Sequence, residues 1–185
     1  MKKINIGRLW YPVNTLGYGK RLGVWFQGCR KNCNGCLSPE FQSEEENTLY
    51  TANEILETVS ECEKIDGLTI SGGEPFDQEE GLLELIRLFS ERYTKDILVY
   101  TGYTIEELQD KKSETIGQIL KNIAVLIDGT YIEEKNGGVG LMGSSNQNIH
   151  VFRYKERYAD AKFQKREFQC VLLKDRLWLI GIPPK

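Results

Sequence analysis

The feature that most constrains the fold is an alternation of short apolar runs with helical patterns through the middle of the chain. Buried strands are predicted at residues 22–27, 68–71, 97–101 and 123–127. Between the second and third runs, apolar residues recur at helical spacing, at Leu82, Leu85, Ile86 and Phe89. Unbroken apolar strands that alternate with helices are typical of a parallel sheet, either open or part of a barrel. The sequence therefore predicts the α/β class.

Capping residues mark where several helices begin. Two pairs have the spacing of a capping box, namely Thr51 with Glu54 and Thr104 with Glu107. They predict helices that begin at these positions, the first extending to about Cys62. Asp77 and Glu80 are the candidate caps of the helix that contains Leu82, and a further helix is expected at 115–122.

The end of the chain has a different character from its middle. One more strand is predicted at 149–152, and the segments 169–173 and 176–182 predict an antiparallel hairpin. A chain of 185 residues normally forms one domain, with or without an appendage. We therefore expect a core domain at 1–152 and a C-terminal extension at 153–185, in which a helical segment and the hairpin pack on the core.

Four loops with glycine, polar or cysteine residues follow the predicted strands directly. Cys29 follows the first strand, residues 72–75 the second, 101–103 the third and 128–129 the fourth. In parallel α/β folds such loops gather at the carboxyl edge of the sheet, where ligands bind. We therefore expect the four loops to meet at one site.

Charge and hydropathy exclude several classes of partner. The 24 basic and 27 acidic residues give a net charge of −3, which disfavours a duplex-binding protein or a polybasic membrane anchor. No apolar run approaches the ~20 residues that span a bilayer, and the N-terminal residues lack the apolar stretch of a secretion signal. We expect a cytoplasmic protein without a membrane or nucleic-acid partner.

Three of the five cysteines lie within eight residues, in the pattern Cys-x3-Cys-x2-Cys formed by Cys29, Cys33 and Cys36. An odd number of cysteines in such a chain argues against a disulfide framework and for metal binding or catalysis. Structural zinc needs four ligands. The fourth would have to be Cys62, Cys170 or His150.

An iron–sulfur cluster fits the three cysteines better than zinc does. Such clusters are held by closely spaced thiolates, ordinarily four of them. Three protein thiolates would leave one iron with an open position, and an open metal position indicates ligand binding or catalysis. A small electron carrier is the alternative from another class, although a carrier usually supplies all four ligands.

The cysteine pattern after a strand, followed about forty residues later by Gly72-Gly73-Glu74-Pro75, resembles the radical S-adenosylmethionine superfamily. Within it, the chain is most similar to the anaerobic ribonucleotide reductase activating proteins, a group of glycyl-radical-enzyme activating enzymes. The segments that carry this narrower similarity are Cys33–Cys36, Tyr100–Thr104, Leu126–Thr130 and Gly143–Gln147. These segments belong to a stretch from about residue 10 to 150. The tail from about 153 to 185 therefore extends beyond the length of the compact members of the group.

This resemblance implies a partial, incomplete TIM-type parallel β/α barrel that binds a [4Fe-4S] cluster and S-adenosylmethionine. Cys29, Cys33 and Cys36 would ligate three irons, and the fourth iron would bind the amino and carboxylate groups of S-adenosylmethionine. The residues implied to contact the cofactor are Gly35, Cys36 and Leu37 at the adenine, Gly72, Gly73 and Glu74 at the methionine moiety, and Asp128, Gly129 and Thr130 at a strand end that faces it.

The implied activity is reductive cleavage of S-adenosylmethionine to a 5′-deoxyadenosyl radical. The radical would abstract hydrogen from a glycine of a large partner, a glycyl-radical enzyme such as anaerobic ribonucleotide reductase. A flavodoxin- or ferredoxin-type protein would donate the electron. Radical modification of a peptide, a small molecule or an RNA-modification precursor is the alternative. An electron carrier has no need of residues 72–75, which therefore count against that class.

A loop at 135–148 holds four glycines, at Gly137, Gly138, Gly140 and Gly143. Two interpretations stay open. The loop is either a flexible surface connection or a mobile segment over the cofactor, the second favoured by the family-like Ser144-Ser145-Asn146-Gln147.

Overall fold

The structure, a computed structural model, describes residues 2–159, 163, 165–173 and 176–184. Its strands are β1 (Ile4–Val13), β2 (Arg21–Phe26), β3 (Thr48–Tyr50), β4 (Gly67–Gly72), β5 (Ile97–Tyr100), β6 (Val125–Asp128), β7 (Asn148–Val151), β8 (Phe168–Leu173) and β9 (Arg176–Gly181). Its helices are α1 (Ala52–Glu57), α2 (Glu79–Arg92), α3 (Ile105–Asp110), α4 (Glu114–Asn122) and α5 (Lys155–Tyr158). Among the described residues, none of the helices has the length and apolar character that a membrane span requires.

Seven strands form one sheet in the order β3-β1-β2-β4-β5-β6-β7. The four central strands β2, β4, β5 and β6 are parallel neighbours. β1 runs antiparallel to β2, β3 runs antiparallel to β1, and β7 runs antiparallel to β6. The predicted α/β class and its parallel strands are therefore confirmed, and antiparallel strands border them on both sides.

The core lies between the parallel strands and the helices. The central strands are buried along most of their length, and α2 contributes Leu82, Leu85, Ile86 and Phe89, each fully buried. Both predicted capping boxes are present, at the starts of α1 and α3. The prediction that Asp77 and Glu80 cap α2 is wrong. A 3-10 turn at Pro75–Gln78 precedes that helix, and the Glu74 side chain caps the turn by accepting a hydrogen bond from the Phe76 N–H.

At the amino ends of the parallel strands, a buried ion pair joins the starts of β2 and β5 to the C-terminal segment. The Arg21 guanidinium at the start of β2 lies 3.0 Å from the Asp96 carboxylate just before β5, and both side chains are fully buried. Arg157 and Tyr158 of α5 also donate to Asp96, the former at 2.7 Å. Thr69 accepts from Arg21 at 2.7 Å. The network fixes α5 against the amino ends of the strands.

The β8–β9 hairpin packs against β1 and β2. Ile180 and Ile182 are buried together with Val13 and Trp25 of the first two strands. The Trp178 ring meets the Trp10 ring edge-on, with their centroids 6.0 Å apart. One face of the hairpin is therefore attached to β1 and β2.

Candidate functional site

The carboxyl ends of the four parallel strands open into one cavity, whose empty volume is about 1060 Å3 with the solvent at its mouth included. Each of the four loops expected to converge there contributes to its wall, so that convergence is confirmed. Of the residues predicted for the site, the wall contains Cys29, Cys33, Cys36, Leu37, Gly72, Gly73, Glu74 and Gly129. Gly35, Asp128 and Thr130 are not among the lining residues.

The three clustered thiols lie on the loop that leaves β2. Gly28 has a φ of +100°, a left-handed conformation that favours glycine, and it turns the chain into Cys29. The Cys36 N–H donates to the Cys33 carbonyl at 3.3 Å, which forms a turn between the second and third cysteines. Each of the three residues is partly exposed. Burial raises the pKa of the Cys29 and Cys36 thiols.

The donor set of this loop fits an iron–sulfur cluster. Cys29, Cys33 and Cys36 all line one cavity, and thiolates are the ligands by which proteins hold such clusters. Neither Cys62 nor Cys170 lines it, so the fourth thiolate of a closed site is not at hand. Within the described ranges, no three His, Cys, Asp or Glu side chains already form a metal-binding group.

Gly72 and Gly73 bring the end of β4 against the loop that carries the cysteines. Gly72 has a φ of +100°, and a Cβ added to it would lie 2.4 Å from the Phe26 carbonyl oxygen. A Cβ added to Gly73 would lie 2.1 Å from the Gly28 carbonyl oxygen. A side chain at Gly72 would therefore clash with the end of β2, and one at Gly73 would clash with the start of the loop that carries the cysteines.

The Glu74 carboxylate is buried and joins two of the loops. It accepts hydrogen bonds from the Phe76 N–H at 3.0 Å, the Thr101 hydroxyl at 2.8 Å and the Gly102 N–H at 2.8 Å. Burial raises the pKa of Glu74 to about 7, although these hydrogen bonds act to lower it. At the cavity wall, this carboxylate can therefore hold or release a proton near neutral pH.

The ends of β5 and β6 are tied to each other. The Gly129 N–H donates to the Tyr103 carbonyl at 2.9 Å, and the Thr130 hydroxyl donates to the Gly102 carbonyl at 2.9 Å. Gly129 has a φ of +99°, which favours glycine at this turn. Thr130 thus supports the loop at Gly102, which lines the cavity.

The Asp128 carboxylate is fully buried and makes three hydrogen bonds within the protein. It accepts from the Ile105 N–H at 2.8 Å at the start of α3 and from the Asn148 amide at 3.0 Å, and it lies 2.9 Å from His150 Nε2. Asp128 therefore joins β6 to α3 and β7. His150, interpreted from the sequence as structural, lies on β7 in this network.

Residues around the third cysteine contact the loops opposite. Gly35 has a φ of +67°, and a Cβ there would lie 2.5 Å from the Glu133 side chain. Leu37 is 42% exposed and lies against Gly143, since a Cβ on that glycine would be 2.9 Å from the Leu37 methyl carbon. The turn that ends at Cys36 is therefore flanked by the glycine-rich loop and the segment before it.

The glycine-rich loop is fixed to the end of β6 by amide side chains. Gln147 accepts from the Gly143 N–H at 2.8 Å and donates to the Gly129 carbonyl at 2.9 Å. Asn146 donates to the Thr130 carbonyl at 2.8 Å. Gly143 and Gln147 both line the cavity. The family-like segment thus forms part of the cavity wall.

Arg166 holds the same loop from the C-terminal side. Its guanidinium donates to the Asn136 side chain at 2.7 Å, to the Met142 carbonyl at 3.2 Å and to the Gly143 carbonyl. Its Nε is buried and has no hydrogen-bond partner among the described residues. The wall at Gly143 therefore depends on a residue outside the predicted core domain.

Sequence reasoning missed the wall formed by β1 and β9. Arg8 lines the cavity with its guanidinium 4.1 Å from the centroid of the Trp178 ring and 5.0 Å from that of Phe41, and its NH2 lies 3.3 Å from the Glu40 carboxylate. Burial lowers the pKa of Arg8. Trp25 adds an apolar surface to the same wall. The apolar side can exclude water, and the guanidinium can attract an anionic group.

Comparison with known proteins adds a family to this geometry. Residues 15–150 match the model of a family described as a 4Fe-4S single cluster domain. Among solved structures, a crystal structure of QueE from Escherichia coli has a TM-score of 0.48 and 18% identity, and the match covers 55% of this chain and 54% of that one.

Several curated relatives carry the same name. An anaerobic ribonucleoside-triphosphate reductase-activating protein of Vibrio cholerae is 34% identical over 152 residues, which are 77% of this chain and 96% of the relative. The protein of that name from Haemophilus influenzae is 35% identical over 78% of this chain and 96% of its own length. The one from bacteriophage T4 is 32% identical over 75% of this chain and 89% of its own length.

Proposed function

Because this chain belongs to the family of the anaerobic ribonucleoside-triphosphate reductase-activating proteins, we propose that it abstracts hydrogen from a glycine of a partner protein. We also propose that Cys29, Cys33 and Cys36 ligate its iron–sulfur cluster. The chain is an enzyme of the radical S-adenosylmethionine type, and its cofactors are a [4Fe-4S] cluster and S-adenosylmethionine. The observation that carries the proposal is that the three thiols line the same cavity as Gly72, Gly73 and Glu74.

The three cysteines would hold a [4Fe-4S] cluster that, when reduced, would supply the electron for cleavage of S-adenosylmethionine to methionine and a 5′-deoxyadenosyl radical. The protein's own part is to bind, orient and enclose the reactants. Three thiolates would leave one position of the cluster free for the cofactor, and the neighbouring loops would orient that cofactor. Geometry of this kind determines which C–H bond of a substrate is close enough to react.

We assign the methionine end of the cofactor to the loop after β4. Gly72 and Gly73 have no side chains to occupy the space beside the cysteine loop, and Glu74 places a buried carboxylate at the wall. An ammonium group near that carboxylate would favour its ionised form, because an opposite charge lowers the pKa of an acid. Glu74 can thus orient the amino group of the cofactor.

We assign the adenine to the backbone of Gly35, Cys36 and Leu37. Support comes from the position of Leu37, which is exposed at the cavity and lies against Gly143. The exposed side chain of Leu37 offers an apolar surface on which a flat base can lie.

Gly129 contributes backbone to the wall near the cofactor, and Asp128 and Thr130 act through it. The hydrogen bonds of Asp128 to α3 and β7, and that of Thr130 to Gly102, hold the strand end in place. We therefore propose Asp128 and Thr130 as residues that position the cofactor loops.

We propose that the four parallel strands form part of an incomplete barrel, with residues 1–152 as the core domain and 153–185 as an extension on it. An incomplete barrel leaves one side open. A loop of the partner protein that carries the target glycine can enter there and complete a water-excluding pocket. The partner would be a large glycyl-radical enzyme, anaerobic ribonucleotide reductase, and it would bind transiently because activation is needed once.

A flavodoxin- or ferredoxin-type protein is the proposed electron donor, and the cytoplasm the proposed location. The location is supported by the five free cysteines, which suit a reducing compartment. Arg30 and Lys31 on the cysteine loop would attract an acidic donor, although Glu44 and Glu107 neutralise them in part.

The proposal is tested by anaerobic reconstitution followed by reduction with dithionite in the presence of S-adenosylmethionine. We expect about four irons per chain and slow formation of 5′-deoxyadenosine without any substrate. Serine at Cys29, Cys33 or Cys36 should abolish both. Serine at Cys62 or Cys170 is the matched control and should leave both unchanged. Cluster loss in the Cys170→Ser variant, or absence of 5′-deoxyadenosine from the wild type, would contradict the proposal.

A further inference from the structure

The C-terminal hairpin presents an exposed apolar face. In the pairing of β8 with β9, Leu172 lies opposite Leu177 and Cys170 lies opposite Leu179. Side chains two residues apart on a strand point to the same side, so these four residues share one face, the outer face. The exposed fractions of the three leucines are 74% for Leu172, 64% for Leu177 and 53% for Leu179. Three leucines grouped on one face offer a small apolar surface to a partner.

The opposite face holds the hairpin in position. Ile180 is 1% exposed, and Trp178 packs against Trp10 and the Arg8 guanidinium. The Gln169 side chain donates to the Pro12 carbonyl at 2.9 Å. The outer face is therefore presented by an anchored element, which lowers the entropy lost when a partner binds.

The outer face reaches the cofactor cavity. Leu179 belongs to both, because it lies on the outer face and also lines the cavity beside Ile180 and Gly181. A protein segment that enters the cavity beside Leu179 can continue toward Leu172 and Leu177. The apolar face is thus contiguous with the cavity wall.

The hairpin lies outside the part of the chain that the family shares. The match to the 4Fe-4S single cluster domain ends at residue 150, whereas the hairpin begins at Phe168. Cluster binding in this family therefore does not account for its outer leucines.

The size of the outer face distinguishes a transient contact from a stable dimer. Two six-residue strands cover about 20 Å by 10 Å, or roughly 200 Å2, at the usual strand dimensions. A stable interface buries about 800 Å2 on each partner. The outer face is therefore too small to hold a second copy of this chain by itself, and it suits a contact that adds to insertion of a substrate loop.

We propose that the outer face docks the protein that carries the target glycine, by binding an apolar surface segment next to the loop that enters the cavity. This inference rests on the proposed function. The hairpin supplies binding to the partner protein, and the cavity supplies the chemistry.

The test is the double variant Leu172→Ser/Leu177→Ser, with the anaerobic ribonucleoside-triphosphate reductase of the same organism as the probe. We expect the reductase concentration that gives half-maximal glycyl-radical formation to rise about tenfold or more, since two buried leucines are lost from the contact. Radical yield at saturating reductase, and 5′-deoxyadenosine formation without reductase, should stay unchanged. The matched control is Leu49→Ser, an exposed leucine on β3 that is not part of the cavity wall.

If the half-saturating reductase concentration is unchanged in the double variant, docking at the outer face is overturned, while the proposed function still stands. Absence of 5′-deoxyadenosine from the wild type would overturn the proposed function and docking with it. Sedimentation velocity tests whether a second copy of this chain occupies the outer face instead. A wild-type dimer that becomes monomeric in the double variant, with no change in half-saturation, would show that a second copy occupies the face and would overturn the proposal.

A measurement on the unsubstituted face guards against a variant that fails to fold. Cys170 lies on the outer face and is exposed, so a photocrosslinker can be attached there in cluster-loaded protein with Cys62→Ala. We expect a crosslink to the reductase that excess unlabelled wild-type protein suppresses and excess Leu172→Ser/Leu177→Ser protein does not. No crosslink to the reductase, or equal suppression by both competitors, would overturn docking.

Discussion

Gly73 lies against the backbone of Gly28, so closely that a Cβ on Gly73 would be 2.1 Å from the Gly28 carbonyl oxygen. That oxygen also accepts a hydrogen bond from the Glu74 N–H at 2.8 Å. Since Gly28 immediately precedes Cys29, this contact couples the loop after β4 to the first cysteine. A glycine is thus required at position 73 by the close approach of the two loops.

Replacing Gly73 by alanine should therefore disturb the loop that carries the three cysteines. We expect the free energy of unfolding to fall by about 1–3 kcal/mol, the usual effect of an extra carbon in a packed site, and the iron content after reconstitution to fall with it. Gly117→Ala is the control, because nothing lies within 4 Å of a Cβ there. It should raise stability by about 0.5–1 kcal/mol, since alanine favours a helix interior. Full iron content in Gly73→Ala would refute the coupling.

The buried Glu74 carboxyl should make stability depend on pH. Its pKa in the folded protein is raised to about 7 by burial, above the ordinary value of 4.5, so the protonated form is stabilised by folding. This stabilisation is complete below about pH 4.5 and is lost as the pH rises through 7. Relative to Glu74→Gln, the cofactor-free wild type should lose roughly 3 kcal/mol across that window. Denaturant unfolding of both proteins at several pH values measures the difference, and a difference independent of pH would contradict the assignment.

Arg166 should control the order of the glycine-rich loop. Arg166→Ala removes the donors to Asn136, Met142 and Gly143, and we expect faster hydrogen exchange at 136–143 together with a KM for S-adenosylmethionine raised on the order of tenfold. Lys165→Ala, at the exposed neighbouring position, should change neither. Unchanged hydrogen exchange in Arg166→Ala would show that other contacts suffice to hold the loop.

The buried pair of Arg21 and Asp96 should dominate stability at the other edge of the sheet. Asp96→Asn leaves the Arg21 charge buried without its counter-ion, which costs about 3–5 kcal/mol. Lys64→Ala breaks an ion pair whose lysine is 69% exposed and should cost less than ~1 kcal/mol. Equal midpoints of chemical unfolding for the two variants would disprove this ranking.

The sequence predicts those parts of the site that depend on local pattern. The apolar runs became β2, β4, β5 and β6, and their parallel order follows from the helices between them. The three clustered cysteines and the pair Gly72 and Gly73 can therefore be placed at the carboxyl edge of the parallel strands from the sequence alone.

The parts that the sequence does not predict depend on distant partners. Only the first residues of β1 alternate between buried and half-buried, and residues 7–12 are all half-buried, so the sequence predicts neither this strand nor the place of Arg8 in the cavity wall. The partner of Arg8 across the cavity wall is Trp178, far along the chain. The Asp128 carboxylate at a strand end can face a cavity or bond the next helix, and its contact with Ile105 depends on how α3 packs.

Hydrogen abstraction from a glycine of a partner protein is the step on which the proposed function depends. Reduced, cluster-loaded protein is mixed with S-adenosylmethionine and the anaerobic ribonucleoside-triphosphate reductase of the same organism, prepared with ordinary or α-deuterated glycine. We predict a stable paramagnetic doublet on the reductase that collapses with α-deuterated glycine, and deuterium in the 5′-deoxyadenosine. No radical on the reductase, with deuterium entering 5′-deoxyadenosine from a labelled short peptide instead, would contradict hydrogen abstraction from the reductase.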